Sequence, residues 1–308
     1  NMADTKQLKS KLQATTNINK ITNALEIFST IKLQKTKKSA IHIRECMLAL
    51  VDLLVQIDDK GDLFAHPNLK DTEKELVVVI WSDKGLCGSL NTTLFKKIHA
   101  TFEEKKDNID LYIIGKKTKE YFSRRKYSIT WETFLRDDVS LEKCNDVLMY
   151  IQEKMTLESY KKIYICYNIF KNTMKYIPVI FSLFPLNAWN FNIFLEGLKE
   201  ENLWLEWYST SPWTLGTTLE KKMETKMEPS KEIIKDVIRS MVMRYIVYGS
   251  LLQNKTCEFA ARMIAMKWAK DNATEQINTL TIAYNKARQD STTKEIIEIA
   301  GAKAIITW

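Results

Sequence analysis

Proline and glycine are missing from long stretches of this chain. Residues 1–60 hold neither, and residues 230–308 hold no proline and only Gly249 and Gly301. These are the two residues that most readily break a helix, so nothing at either end stops one. All five prolines and six of the eight glycines lie between. Both ends are read as long helices, of ~75 Å and ~100 Å at about 1.5 Å per residue. Histidine is scarce as well: His42, His66 and His99 share no ligand spacing with one another or with cysteine, so no metal is expected. The five cysteines, Cys46, Cys87, Cys144, Cys166 and Cys257, are odd in number and form no C-x-x-C pair, as befits reduced thiols. No window approaches the roughly 18 uninterrupted apolar residues of a membrane span. The most apolar stretch, Tyr176 to Leu186, contains two prolines. The first residues, with Asp4 and no apolar core, fit neither a signal nor a transit peptide, and Asn1 ahead of Met2 reads as an upstream translated residue.

What is present is an ordinary soluble composition, 45% hydrophobic and 27% charged. The net charge of +8 is unevenly placed. Residues 1–44 carry nine Lys/Arg against Asp4 and Glu26, and residues 230–308 carry twelve basic against eight acidic residues, so the middle is slightly acidic. The basic character belongs to the terminal helices. It fits a solvated helix face, a nucleic-acid arm or a shaft seated against an acidic protein partner.

Along the first helix, Ile18, Ile21, Leu25, Phe28 and Ile31 or Lys32 follow the three-and-four spacing of one apolar face. Met47, Leu48, Val51, Leu54 and Val55 resume it after Lys32, Lys35, Lys37 and Lys38. The last helix starts near Ser230, a cap just after Pro229, and Ile264, Ile277, Leu280, Tyr284, Ile296 and Ile299 mark its apolar face. Gly249 is where a bend is expected. Two long helices that must each bury a stripe do so most simply against each other, so 1–60 and 230–308 pair into a coiled-coil shaft. Between them, 61–229 reads as an α/β domain. Strands are expected at Leu76 to Trp81, Asp110 to Gly115, Tyr127 to Phe134, Lys161 to Phe170 and Tyr176 to Leu186. Helices fill Asn91 to Lys106, Lys116 to Arg125 and Ser140 to Thr156. This alternation predicts a Rossmann-like, largely parallel five-stranded sheet covered by helices, with residues 187–228 as connecting structure.

The segment Ser82-Asp83-Lys84-Gly85-Leu86-Cys87-Gly88-Ser89-Leu90-Asn91 follows a strand and opens a helix, where a glycine loop can cradle phosphate. It lacks both the G-K-[ST] ending and the G-x-G-x-x-G spacing, so a tight strand-to-helix turn is the better reading. No Ser/His/Asp set, carboxylate pair or Cys/His dyad can be assembled, and Glu295 with Glu298 reads as surface charge. No catalytic residue, cofactor or metal is expected.

The densest signal lies near the end: Glu258-Phe259-Ala260-Ala261-Arg262-Met263-Ile264-Ala265-Met266, then Asp271-Asn272-Ala273, Asn285-Lys286-Ala287-Arg288-Gln289 and Thr293-Lys294-Glu295-Ile296-Ile297-Glu298-Ile299. This run resembles the C-terminal helix of the gamma subunit of F-type ATP synthases. Lys20-Ile21-Thr22-Asn23-Ala24-Leu25 resembles that family's K-I-T-x-A-M motif, with Leu25 where methionine is usual. Ser82 to Asn91 resembles its S-D-[RK]-G-L-C-G-x-L-N signature. Ile114-Gly115-Lys116-Lys117, Tyr121-Phe122 with Arg124-Arg125, and Tyr167-Asn168 with Phe170 are similar to later segments, in the right order.

The resemblance implies an antiparallel coiled coil inside a ring of alpha and beta subunits, and an α/β domain beside the epsilon subunit and the membrane c-ring. The chain would be a non-catalytic rotor, a peripheral component at the cytoplasmic face of a bacterial inner membrane, bound to no nucleic acid and to the membrane only through the complex. Candidate ring contacts are Lys20, Leu25, Lys32, Lys35, Asn285, Arg288, Gln289 and Glu295, the lysines facing acidic loops of the beta subunits. Ser82, Asp83, Lys84, Gly85, Gly88 and Asn91 form the base-domain signature. Trp207-Tyr208-Ser209-Thr210-Ser211-Pro212 departs from the family's Y-x-x-E-P-S-P, and the dithiol insertion of photosynthetic relatives is not evident. Tryptophan equals glycine in number, and Trp81 and Trp268 stand where relatives carry small residues. Misread UGA codons, with glycine the native residue, would explain both. The alternatives are a soluble α/β nucleotide-binding protein with a helical oligomerisation arm, a gamma-like subunit of a specialised rotary ATPase, or a nucleic-acid-binding coiled coil.

Overall fold

The computed structural model describes residues 2–57, 73–134, 139–157, 160–185 and 230–306. The expected connecting segment 187–228 and the Trp207 to Pro212 stretch lie outside these residues. Helix α1 spans Met2–Ile57. Then come β1 (Glu75–Ile80), α2 (Leu90–Phe102) with a 3-10 turn at Glu103–Asn108, β2 (Ile109–Ile114), α3 (Thr118–Ser123), β3 (Ser128–Thr133), α4 (Leu141–Leu157), β4 (Lys162–Asn172), β5 (Lys175–Phe184) and α5 (Lys231–Ile306). Ser230 caps α5, its Oγ accepting the Ile233 backbone N–H at 3.4 Å and its carbonyl that of Ile234 at 3.1 Å. The helix runs unbroken through Gly249.

The chain divides into two compact units, one of 31–261 and one of 1–30 with 262–308, so the division falls inside both terminal helices. In the first unit the strand order is β3-β2-β1-β4-β5. All pairings are parallel except the β4–β5 hairpin. Strands β1 and β2 are buried at every position, which is why Glu75-Leu-Val-Val-Val-Ile80 is a nearly continuous apolar run rather than an alternating one. On one face Leu76, Val78, Ile163 and Ile165 pack with Val147 and Ile151 of α4, with Ile43 and Met47 of α1, and with Ile238 and Val242 of α5. On the other, Val77, Val79 and Ile113 meet Phe95, Ile98 and Phe102 of α2 and Phe122 of α3. Because α2 and α4 cover opposite faces, the winding reverses between β1 and β4. In a doubly wound sheet, the crevice at the carboxyl ends of such strands is where ligands usually bind.

Two residues fix how the carboxyl ends of β1 and β2 meet. Gly115, just after β2, has φ +124°, and a Cβ there would lie 2.8 Å from the Trp81 backbone oxygen. Backbone cannot yield as a side chain can, so Gly115→Ala costs about 1–3 kcal/mol, measurable by urea unfolding. Trp81 is 1% exposed and packs edge-on to Phe122 at 6.1 Å between ring centres and tilted to Tyr121 at 5.7 Å. The indole at 81 is enclosed by these rings but its Nε1 is buried without a hydrogen-bond partner among the described residues, whereas Trp268 is 61% exposed. Trp81→Gly empties that enclosure and costs about 3–5 kcal/mol or more. Peptide mass spectrometry of the native protein tests the misread-codon reading: glycine mass at 81 and 268 supports it, and tryptophan mass at both removes it.

The second unit pairs the start of α1 with the end of α5, antiparallel: Asn19 Nδ2 donates to Thr274 Oγ1 at 3.1 Å, and Lys270 Nζ to Glu26 Oε2 at 2.5 Å. Here the sequence expectation is corrected. Ile18, Ile21 and Phe28, read as the packing stripe, are 53%, 59% and 39% exposed. Much of the inward face of α1 is instead polar: Thr15, Asn19, Thr22, Glu26 and Ser29 lie there, in three-and-four steps, with Thr22 and Ser29 buried and Leu12 and Leu25 half-buried beside them. The buried hydroxyls bond back to the helix's own carbonyls, Thr22 to Ile18 and Ser29 to Leu25, which satisfies them without a partner across the seam. On α5, Ile264, Ile277, Leu280 and Tyr284 are half-buried as expected, but Ile296 and Ile299 are exposed. In the first unit, Leu33, Ile43, Met47 and Leu50 of α1 are buried, while Ile31 is exposed. The side chains of Leu48, Val51, Leu54 and Val55 lie outside the described residues.

Candidate functional site

Ser82 to Asn91 connects β1 to α2 as a turn whose polar groups bond within the chain. Asn91 Nδ2 donates to Ser82 Oγ at 2.6 Å and lies 3.5 Å from Cys87 Sγ. Asp83 Oδ1 accepts the Lys116 backbone N–H at 3.3 Å, tying the loop to the Gly115 turn, and Ser89 Oγ meets the Tyr176 hydroxyl at 2.8 Å. Gly88 takes φ +57°, and Leu86 takes φ +63° and is exposed. Lys84 and Gly85 are exposed at the loop's tip.

Helix α5 crosses this loop and β4 with Gln253, Asn254, Lys255, Thr256, Cys257 and Glu258, none more than 6% exposed. Phe170 N–H donates to Gln253 Oε1 at 3.0 Å. Asn168 donates to Asn254 Oδ1 from its backbone N at 3.2 Å and from its Nδ2 at 3.0 Å. Lys255 Nζ donates to Asp83 Oδ2 at 3.1 Å and to Glu258 Oε2 at 2.9 Å. Burial alone would depress the Lys255 ammonium, but Glu258 first and Asp83 second outweigh it and raise its pKa. The ion group is therefore charged, buried and paired. Cys87, Leu90 and Cys257 close an apolar cluster beside it. The crevice that holds a ligand in other doubly wound sheets is here crossed by the chain's own helix.

Sequence reading singled out Asp83 but missed Lys255, Asn254 and Gln253. One signal was available: Lys255 and Glu258 are the only charges between Gly249 and Ala261, in a helix otherwise reading as buried. Titratable chemistry is weak elsewhere. Burial, with Asp146 adding to it, pushes the Cys144 thiol up to about 12, so it holds no thiolate at neutral pH. Among the described residues no group of three His, Cys, Asp or Glu is placed to hold a metal.

The ring-contact candidates are distributed over both units. Lys20, Asn285, Arg288, Gln289 and Glu295 are exposed in the second unit, with Leu25 half-buried. Arg288 and Glu295 border a cleft with Thr5, Lys6 and Lys9, and Glu295 Oε1 accepts from Ser291 Oγ at 3.2 Å. In the first unit Lys35 is exposed and Lys32 half-buried. The neighbouring Lys37 lies over the Phe170 ring, 5.1 Å from its centre, so part of the basic collar is engaged with the chain's own fold.

A profile of the ATP synthase family matches residues 4–305. The ATP synthase gamma chain of Buchnera aphidicola subsp. Schlechtendalia chinensis is 34% identical over 311 residues, covering 99% of each chain. That of Xylella fastidiosa (strain M23) is 33% identical over 316 residues, covering 99% of this chain and 100% of the relative. Among solved structures, a chain of the Euglena gracilis mitochondrial ATP synthase superposes with a TM-score of 0.62 at 18% identity, covering 99% of this chain and 95% of that one. A central stalk chain of the Tetrahymena thermophila enzyme gives 0.57 at 21%, covering 81% and 99%. The order and spacing of the terminal motifs, the signature loop and the mostly parallel sheet thus share one explanation: this chain belongs to the ATP synthase gamma chain family.

Proposed function

We propose that this chain is the central rotor shaft of an ATP synthase, coupling ion translocation to ATP synthesis or hydrolysis by turning within a ring of alpha and beta subunits. It is a non-catalytic subunit, and the ring carries the chemistry. The single observation that carries the reading is the outward apolar stripe of the shaft: Ile18, Ile21 and Phe28 of α1 are exposed while its Thr22 and Ser29 are buried. A helix pair spends isoleucine on its outer face when another surface covers it. The epsilon subunit and the c-ring are the partners of the α/β unit. As a member of the gamma chain family it takes a peripheral place in a membrane-bound complex, on the cytoplasmic face of a bacterial membrane; among the described residues no helix is long and apolar enough to cross a membrane. The nucleotide-binding alternative is disfavoured because α5 crosses the crevice such a ligand would take.

Shaft residues bias the ring by bonding differently to its alternative states as they turn. Lys20, Lys32 and Lys35 meet acidic loops, and Arg288 offers a planar fork of donors that holds a carboxylate with two bonds. Because Arg288 is exposed, Arg288→Glu leaves the fold intact, within about 0.5 kcal/mol. It lowers ATP-driven rotation in the assembled complex; unchanged torque removes the contact. The role itself is tested by co-expression with alpha and beta subunits of the same genome and purification through a tag on beta. One copy per three alpha–beta pairs with stimulated ATPase supports it. A chain left outside the complex that binds nucleotide, or that binds nucleic acid with steep salt dependence, overturns it.

A further inference from the structure

Six consecutive residues of α5, Gln253 to Glu258, are all nearly inaccessible. Six residues exceed one turn of 3.6, so the helix is enclosed on every side here. Enclosed helices are normally apolar all round, yet this one carries Gln, Asn, Lys, Thr and Glu. Four of its side chains reach outward to specific groups of the α/β unit: Gln253 to the Phe170 amide, Asn254 to Asn168, Lys255 to Asp83, and Cys257 Sγ to the Asn168 carbonyl at 3.4 Å. These bonds reach two separate elements, β4 through Gln253, Asn254 and Cys257 and the Ser82 loop through Lys255. An apolar collar would hold α5 in place but leave its rotation weakly fixed, because apolar contact is not directional. Hydrogen bonds lose most of their strength with misalignment, and one residue of slip turns a helix by about 100°.

We infer that Gln253, Asn254 and the Asp83–Lys255–Glu258 group form a torsional key that fixes the rotation of α5 within the α/β unit. The inference rests on the rotor reading above. It makes Lys255 a positioning residue, acting through Asp83 of the signature loop. A rotor driven from its base domain must not let the shaft helix turn inside that domain. ATP hydrolysis by the ring turns the shaft without needing this grip. ATP synthesis driven through the base domain does need it. Loss of the key therefore separates the two activities.

The test uses the complete complex in proteoliposomes with an imposed proton and sodium gradient, comparing gradient-driven ATP synthesis with ATP hydrolysis. Lys255→Met leaves two buried carboxylates without their cation, so its failure to assemble would reflect folding. The companion Asp83→Asn/Lys255→Met/Glu258→Gln variant removes the ionic bonds without leaving buried charge. The expected result for the triple variant is wild-type assembly and hydrolysis, with synthesis per unit hydrolysis lowered about tenfold, as charged hydrogen bonds of this kind are strong enough to give. Synthesis at the wild-type ratio in the triple variant overturns the key and leaves a purely structural ion group. A wild-type chain that is not incorporated, or gives no synthesis under either gradient, overturns the rotor reading instead.

Discussion

Lys255→Met lowers the stability of the isolated chain by about 3–5 kcal/mol, among the largest effects any single change here produces. The side chain is 3% exposed, and its partners Asp83 and Glu258 are 11% and 0% exposed. Removing the ammonium leaves two carboxylates close together with little water to solvate them. Converting both partners as well, in Asp83→Asn/Lys255→Met/Glu258→Gln, recovers most of the loss, because the desolvation cost disappears along with the attraction. The pH dependence follows from the direction of the Lys255 shift. Its folded pKa is raised, so the stabilisation is complete below the unfolded lysine value of about 10.4 and is lost as pH climbs through the higher folded value. Urea midpoints followed from neutral pH upward therefore fall more steeply in the alkaline range for the wild type than for the triple variant. Parallel curves would show that folding does not raise the Lys255 pKa.

The elements of the α/β unit were legible because each is announced locally. Strand β1 was expected from Leu76 to Trp81 and runs Glu75–Ile80; β2 was expected from Asp110 and begins at Ile109. Continuous β-branched runs, the Gly115 turn and the Ser230 cap carry that information within a few residues. The seam of the shaft was illegible for the opposite reason. Periodicity reports where apolar residues lie, and the inference that they face inward holds only for a chain that keeps its apolar surface to itself. In α1 the inward positions from Thr15 to Ser29 are polar, Thr15, Thr22 and Ser29 bonding to their own helix and Asn19 and Glu26 to α5, and the outward ones are Ile18, Ile21 and Phe28. Lys255 was illegible because a lone lysine on a helix ordinarily lies in water. Its burial depends on β4 and the Ser82 loop arriving from more than eighty residues away.

Ile18→Asp with Ile21→Asp separates the two surfaces of the shaft. Both side chains are more than half exposed, so each change alters the isolated chain by only about 0.5 kcal/mol, the range of surface substitutions. In the complex the two carboxylates must be desolvated against a surface that accepted isoleucine, and they stand beside Lys20, whose charge they offset. Loss of two central apolar anchors is worth about 2 kcal/mol or more at an interface, so shaft retention or ATP-driven rotation falls by more than tenfold. Ser29→Leu supplies the converse. Ser29 is 0% exposed, and the added bulk in that seam costs about 1–3 kcal/mol of stability. Its outward neighbours remain as they were, so whatever shaft survives folding turns normally. Thermal unfolding of the two isolated variants, set beside rotation of the two assembled complexes, gives four values that must cross. Loss of stability in the aspartate variant, with rotation unaffected, would return Ile18 and Ile21 to the seam and remove the outward stripe as the surface the ring reads.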